Sequence, residues 1–280
     1  MLKVAIPNKG QLAEPAFSML REAGYLSSPI HETLVVSDKQ NDVEFFFLRP
    51  RDIAIYVASG NLDFGITGQD MVADSKVEVQ EILPLGFAKS VFTIAGSNGM
   101  DNIKNVAKKR IATSYPGLLN QWLQNQKLTA EVVQLDGAVE NAVGLGVADY
   151  VADVVATGTT LKRAGLHQLG EPIMYSQAIL IGRNTSESNE QRDDFIRRIN
   201  SVIVARDYVL MDYDIPSNLV EQACIITPGF ESPTISGLRD SSWSAIRVMV
   251  PSVEVHAIMD QLYKIGAKGI LVTQIIACRL

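Results

Sequence analysis

Through the first two thirds of the chain, short apolar runs alternate with stretches whose apolar residues recur at helical spacing. The runs predict strands over 2–6, 43–49, 62–67, 79–85, 89–96, 110–114, 131–135 and 149–154. The stretches between them predict helices over 11–23, 50–59, 101–108, 116–126, 137–145 and 160–165. Continuously apolar strands separated by helices imply an α/β fold of largely parallel sheets with helices on both faces. Two segments read alike: Gly60-Asn61-Leu62-Asp63-Phe64-Gly65-Ile66-Thr67-Gly68 and Gly146-Val147-Ala148-Asp149-Tyr150-Val151-Ala152-Asp153. Each has a glycine helix stop, a turn with Asp, then a buried strand ending in polar residues. Any two αβ units can share that grammar, and so can a duplicated pair of lobes. In the second case a ligand belongs in the cleft between lobes, beyond the strand ends.

The pattern changes near residue 185. Asn184–Asn189 is a polar link, and a helix of about 187–206 follows. The order then becomes strand 208–213, helix 217–225, strands 232–238 and 243–250, helix 252–265 and strand 268–277, the βαββαβ ferredoxin-like signature. In the last helix Ser252 reads as N-cap after Pro251, with Glu254 in the first turn. Val255, Ile258, Met259, Leu262 and Ile265 form one apolar stripe, and Gly266 closes it.

At 280 residues the chain exceeds one usual domain, and 47% hydrophobic with 20% charged residues fits a folded globular protein. A net charge of −6 argues against nucleic-acid binding, which needs a basic face, but leaves small anionic substrates open. Met1 runs directly into an apolar strand with no signal-peptide pattern, and no apolar run reaches the ~20 residues that span a bilayer. Cys224 and Cys278 are the only cysteines, so neither a disulfide framework nor a zinc site is expected. The chain reads as cytoplasmic.

Candidate chemistry concentrates in Val151-Ala152-Asp153-Val154-Val155-Ala156-Thr157-Gly158-Thr159-Thr160-Leu161. A buried strand delivers Asp153, and Thr157–Thr160 turns into a helix. Successive amides there form an anion cradle, Gly158 permits close backbone approach, and three hydroxyls add donors. Asp153 would stand where a sugar hydroxyl needs an acceptor. An ordinary strand, turn and threonine-capped helix would give the same string.

This segment resembles the phosphoribosyl-pyrophosphate loop of phosphoribosyltransferases. It differs from the nucleobase-salvage version, which carries two adjacent acids, because Ala152 precedes Asp153. With "DGAVENAVGLGVAD" (136–149), "IPNKGQL" (6–12), "FFFLRPRDIAIYVASGNLDFGITGQD" (45–70), "RIATSYPGLL" (110–119) and "ITPGFESPTI" (226–235), the whole chain is similar to the ATP phosphoribosyltransferase family in its long form. The resemblance implies two lobes like those of type II periplasmic binding proteins, built from 1–90 with 178–206 and from 91–177. It also implies an ACT-like regulatory domain over 207–280. Its reaction would be attack by adenine N1 of ATP on the anomeric carbon of phosphoribosyl pyrophosphate. Because N1 already carries a lone pair, no strong base is required; the three histidines, His31, His167 and His256, lie outside every motif quoted.

By the same resemblance Thr157, Gly158, Thr159 and Thr160 would hold the 5′-phosphate, while Asp153 and Glu140 would accept from the ribose hydroxyls. Asp136 and Gly137 would lead into the helix that carries Glu140. Lys9, Gly10, Arg49, Asp70 and Tyr115 would serve ATP, although Asp70 could equally lie in the first turn of a following helix, where the dipole favours it. Arg51 reads as a surface charge, and Lys108-Lys109-Arg110 as the charged end of a helix. Mg²⁺ is implied by two phosphate-rich substrates without a dedicated protein cage. Histidine would bind as inhibitor at Asp214, Phe230, Thr234 and Gly269, where Phe230 replaces the family's usual leucine. The partners implied are thus ATP, phosphoribosyl pyrophosphate and histidine, in a homo-oligomer of two to six copies without a separate regulatory subunit. Two other readings compete: a non-enzymatic two-lobed small-ligand sensor, and a salvage phosphoribosyltransferase.

Overall fold

The computed structural model describes residues 1–26, 34–97, 102–183 and 189–279. His31, the start of the helix expected over 101–108 and most of the link 184–189 lie outside the described residues. The chain divides into two compact units, Met1–Ser18 with Tyr25–Arg192 and Met19–Gly24 with Asp193–Leu280. The second thus starts inside a long helix, upstream of residue 207.

The first unit opens with β1 (Leu2–Pro7), α1 (Ala13–Glu22), β2 (Val35–Asp38), β3 (Val43–Leu48), α2 (Pro50–Ala58), β4 (Phe64–Gly68), α3 (Gln69–Ser75) and β5 (Gln80–Pro84). β1 runs parallel to β3 and β4, all three carrying fully buried positions such as Val4, Phe45 and Phe64. A second sheet follows, from β6 (Ser90–Ser97), β7 (Arg110–Thr113), α4 (Pro116–Asn125), β8 (Glu131–Gln134), α5 (Asn141–Gly144), β9 (Tyr150–Val155), α6 (Thr159–Arg163), β10 (Leu166–Gln168) and β11 (Met174–Ser176). The chain then returns as β12 (Ala178–Gly182) to the first sheet, antiparallel between β4 and β5.

The sheet orders are β2-β3-β1-β4-β12-β5 and β10-β6-β9-β7-β8, with β11 also on β6. Both lobes contain the same motif: three parallel strands, β3-β1-β4 or β8-β7-β9, with an antiparallel strand, β12 or β6, beside the third. This is the type II periplasmic-binding-protein arrangement of two α/β lobes. The paired segments noticed in the sequence occupy equivalent places. Gly60 and Gly146 both adopt positive φ (80° and 70°). Asp63 brackets Lys3 at the foot of β1, as Asp149 brackets Arg110 at the foot of β7, each taking the amide hydrogen bond at 3.0 or 2.9 Å.

Several local expectations change. The helix expected over 137–145 shrinks to the single turn Asn141–Gly144, because Ala138 turns left-handed and Gly137, Gly144 and Gly146 offer little helical preference. Asp136 and Gly137 therefore lead into a turn, and Glu140 stands at the N-cap of α5. The helix expected over 101–108 is a 3₁₀ turn over Ile103–Val106. Arg110 does not finish a helix; it opens β7, and its guanidinium reaches Asp149 at 3.3 Å. Strands β2, β10, β11 and β12 were not expected as elements, and α3 carries Asp70 in its first turn, the alternative place for that residue.

The second unit carries most of α7 (Glu190–Asp207), then β13 (Tyr208–Pro216), α8 (Val220–Ile226), β14 (Thr234–Gly237), β15 (Trp243–Pro251), α9 (Val255–Lys264) and β16 (Lys268–Gln274). The antiparallel order β14-β15-β13-β16 completes the ferredoxin-like βαββαβ fold. Its core joins Met211, Tyr213 and Ile215 of β13 with Ile246 and Val248 of β15 and Ile258 and Leu262 of α9. Asp214 lies within β13, not beyond its end. Ser252 is not the N-cap: it begins a 3₁₀ turn and donates to the carbonyls of Arg206 and Asp207, and Glu254 precedes α9. Among the described residues no helix is long and apolar enough to cross a membrane.

Candidate active site

β9 ends at the cleft between the lobes. Its inward residues Val151 and Ala152 are fully buried, and Asp153, next along, is only partly covered. Asp153 Oδ1 accepts from the Val154 amide at 2.8 Å. Burial pushes its carboxyl up to about 6, with the Glu140 and Asp70 carboxylates adding to the rise and the Val154 amide and Arg51 opposing it. Beyond Val155 the chain turns through Thr157 and Gly158, the latter left-handed at φ 71°, into α6. The Thr157 and Thr159 hydroxyls share a hydrogen bond of 3.0 Å, and Thr157, Thr159 and Thr160 are exposed. Among the described residues, the amides of Thr157–Thr160 meet no backbone acceptor. The turn is therefore open and its amides are unspent.

A cavity of about 210 Å³ lies against this strand end, lined on the first lobe by Lys9, Gly10 and Asp70 and on the second by Tyr115 and Asp153. Lys9 and Gly10 form the turn after β1, Gly10 at φ 77° with open space where a side chain would stand. Thr157 and Gly158 line an adjoining cavity of about 300 Å³, and Ala156 belongs to both. Five of the expected site residues thus share one cavity, and the anion turn adjoins it. Arg49, exposed at the N-terminal boundary of α2, lines neither. Glu140 lines neither cavity and acts on Asp153 through its charge.

Tyr115 is buried and held on several sides. Its hydroxyl faces the Asp70 carboxylate, Arg51 lies over its ring at 4.6 Å, and Phe92 meets it edge-on at 5.7 Å. Burial, then the Asp70 charge, raise its pKa far above the ordinary phenol value. Asp70, 4% exposed, accepts at Oδ1 from the Ser176 hydroxyl (2.7 Å) and donates from its own amide to Ser176 Oγ (3.0 Å). Arg51, expected as a surface charge, instead donates to Asp74 Oδ2 at 2.6 Å. Arg51, Asp74 and Ser176 were missed as parts of this network; the partners lie 23 and 106 residues apart, beyond any local pattern.

The raised carboxyl has a consequence for stability. With a folded pKa of about 6, above the usual 3.8, Asp153 holds its proton more tightly in the folded than in the unfolded chain. That contribution is complete below roughly pH 4 and is lost as pH rises through about 6. Asp153→Asn should therefore unfold later than the parent at pH 7.5, by at most about 3 kcal/mol, with the gap closing near pH 4. Denaturant melts across that range test it, and an unchanged gap at both ends would show that the carboxyl is not paying for burial.

In the second unit, Asp214 and Gly269 come together: a side chain at Gly269 would stand 3.7 Å from Asp214 Oδ2. Beside them Lys268 lies over the Trp243 ring at 5.0 Å. Thr234 sits on edge strand β14, two strands from Asp214, and Phe230 is half-exposed against Tyr208. The four expected effector residues do not close into one pocket here.

The family model described as ATP phosphoribosyltransferase (HisG) matches residues 49–201, and that of the HisG C-terminal domain matches residues 205–277. The chain is 55% identical to an ATP phosphoribosyltransferase of Arthrobacter sp. (strain FB24), with all of both chains covered. The chain belongs to the ATP phosphoribosyltransferase family. An ATP phosphoribosyltransferase of Streptomyces avermitilis is 52% identical, again over the whole of both chains. A solved ATP phosphoribosyl transferase (HisG:HisZ) complex from Thermotoga maritima aligns with TM-score 0.65 and 26% identity over 73% of this chain and 99% of that one. With both family models matched, this chain is of the family's long form. Its reaction joins ATP to phosphoribosyl pyrophosphate, the first step of histidine biosynthesis, and the sensor and salvage readings are set aside.

Proposed function

We propose that the transfer takes place in the cavity of Lys9, Asp70, Tyr115 and Asp153, with the adjoining Thr157–Thr160 turn gripping the 5′-phosphate of phosphoribosyl pyrophosphate. The observation that supports this reading is the open turn, whose amides meet no backbone acceptor and whose hydroxyls are exposed directly after Asp153. Asp153 accepts from the ribose hydroxyls, and its charge, with that of Glu140, favours the positive anomeric carbon of the transition state. Adenine N1 forms the new bond to that carbon as the carbon–oxygen bond to pyrophosphate breaks with inversion, the electron pair leaving on pyrophosphate. Lys9, Gly10 and Arg49 take the phosphates of ATP, while Asp70 and Tyr115 form the base side of the site. Tyr115 is clasped by Arg51 and Phe92, so it acts as a fixed wall and not as a swinging stacking ring.

Mg²⁺ suits this set, because a hard cation takes oxygen ligands and the cavity offers the Asp153 and Asp70 carboxylates. Among the described residues no group of three or more His, Cys, Asp or Glu could hold a metal, so substrate oxygens would supply most ligands, with Asp153 the nearest protein group. The ion would neutralise phosphate charge. Protein given ATP, phosphoribosyl pyrophosphate and Mg²⁺ should release pyrophosphate; turnover with a free nucleobase and none with ATP would overturn the assignment.

In the same reading the chain is divided into a lobe of 1–90 with 178–206, a lobe of 91–177 and a regulatory domain over 207–280. Free histidine binds that last domain, its ammonium on Asp214, with Phe230, Thr234 and Gly269 completing the site. The separation of Thr234 from Asp214 within one chain suits a site completed in a homo-oligomer of two to six copies. Such an enzyme works in the cytoplasm without a separate regulatory subunit. Asp214→Ala should raise the histidine concentration for half-inhibition at least tenfold, about the value of one charged hydrogen bond, while leaving uninhibited turnover intact. Inhibition curves that superimpose on those of the parent would remove Asp214 from the effector site.

A further inference from the structure

The helix α3 belongs by its strand to the first lobe, yet Met71 and Ala73 pack against the second-lobe core around Phe92, Tyr115 and Leu118. Immediately beyond them stands Asp74, whose side chain is 9% exposed and which does not line the substrate cavity. Its two carboxylate oxygens are spent on different lobes. Oδ2 accepts from Arg51 of α2 at 2.6 Å, and Oδ1 accepts from the Leu118 amide in the first turn of α4 at 3.1 Å. The backbone approach is equally close: a side chain at Gly117 would collide with the Asp74 carbonyl oxygen.

We propose that Asp74 is a positioning residue for phosphoribosyl transfer, a clamp that fixes Arg51 and the start of α4 so that Tyr115 is held against Asp70 across the cleft. The inference rests on the cavity described above being the site of transfer.

A simple helix cap would account for the Leu118 bond alone. It does not account for Arg51, a half-exposed side chain held on the same carboxylate with its guanidinium over the Tyr115 ring at 4.6 Å. Both groups that Asp74 holds act on Tyr115, one through the ring face and one through the helix whose N-cap is Tyr115. Tyr115 is further tethered to Thr113 Oγ1 through its amide, at 2.9 Å, and its hydroxyl faces the Asp70 carboxylate. Asp70 is in turn bonded to Ser176, next to the strand that returns to the first lobe. One carboxylate outside the cavity thereby sets the distance between two walls of it. The groups around Asp153 are Glu140, Asp70, Tyr115 and Arg51, and among them Arg51 is the cation that holds its carboxyl down.

Two variants separate the clamp from a cap. Asp74→Asn keeps an oxygen for the Leu118 amide and loses the charge that holds Arg51. Arg51→Met removes the other half of the pair from a half-exposed position. Each should lower kcat/KM about tenfold, and the double variant should fall no further, because both break one linkage. Both should also move the acid limb of the pH profile to higher pH, since the cation near Asp153 is displaced or gone. An additive loss of roughly a hundredfold in the double variant, or an Asp74→Asn enzyme with parental rate and acid limb, overturns the clamp. Should Asp74→Asn fail to fold, Arg51→Met decides alone, and an unmoved acid limb with full activity overturns it. Tyr115→Phe, which loses the hydroxyl that faces Asp70, is the control. Loss there with none at Asp74 or Arg51 sinks the clamp only, whereas no loss in all three sinks the site reading itself.

Discussion

Asp153→Asn should lower kcat/KM for phosphoribosyl pyrophosphate by roughly 10²–10³-fold at pH 7.5, the range for removing one preorganised charged group from a transition state. The carboxyl sits at the mouth of a strand whose preceding residues are fully buried, so asparagine fits the same space. On the proposed reading, what is lost is charge beside the ribose and acceptor strength toward its hydroxyls. Because the same substitution removes a carboxyl that burial disfavours, the inactive variant should be the more stable one at that pH. Initial rates of pyrophosphate release measure the first effect. A rate within threefold of the parent would withdraw Asp153 from the chemistry.

Phe64→Ala should produce the opposite pairing, a large loss of stability with chemistry intact in the molecules that remain folded. Phe64 is completely buried in β4, between Val4 of β1 and Gly182 of β12. A side chain at Gly182 would press on the Phe64 ring at 3.2 Å, so glycine is there to admit the aromatic ring. Arg192 closes the other side, its guanidinium 4.5 Å from the ring centroid. Glycine opposite offers no side chain to fill the space that alanine leaves, and a loss of about 3–5 kcal/mol is expected. Urea unfolding midpoints, read beside rate per folded molecule, test it; a loss below about 1 kcal/mol would mean that the sheet relaxes around the gap.

Which features could be read from the chain follows from how local their causes are. Apolar runs such as Phe45–Leu48 and Tyr150–Val155 announced buried strands, and the Thr-Gly-Thr-Thr string announced a turn that proves open. The last ferredoxin-like unit was legible because each of its helices carries one apolar stripe. The short α3 was legible only as an alternative place for Asp70, since its seven residues follow β4 without a break and its N-cap, Gly68, makes no side-chain cap. With the extent of α3 unread, the four-residue spacing of Asp70 and Asp74 on one helix passed unnoticed, and Arg51 was left without a partner. Strand β12 was visible in principle, as five buried residues ending in Gly182, but its place between β4 and β5 depends on pairing across more than a hundred residues.

That last pairing has a bearing on how the protein is made. Among the described residues β5 touches its sheet only through β12, so the ribosome must reach Gly182 before the amino-terminal sheet can close. The middle of the chain needs nothing from outside 90–176 to complete its strands. A chain truncated after residue 177 and released should therefore hold a finished central lobe behind a leading segment still open to proteolysis, reversing the order in which the two were translated.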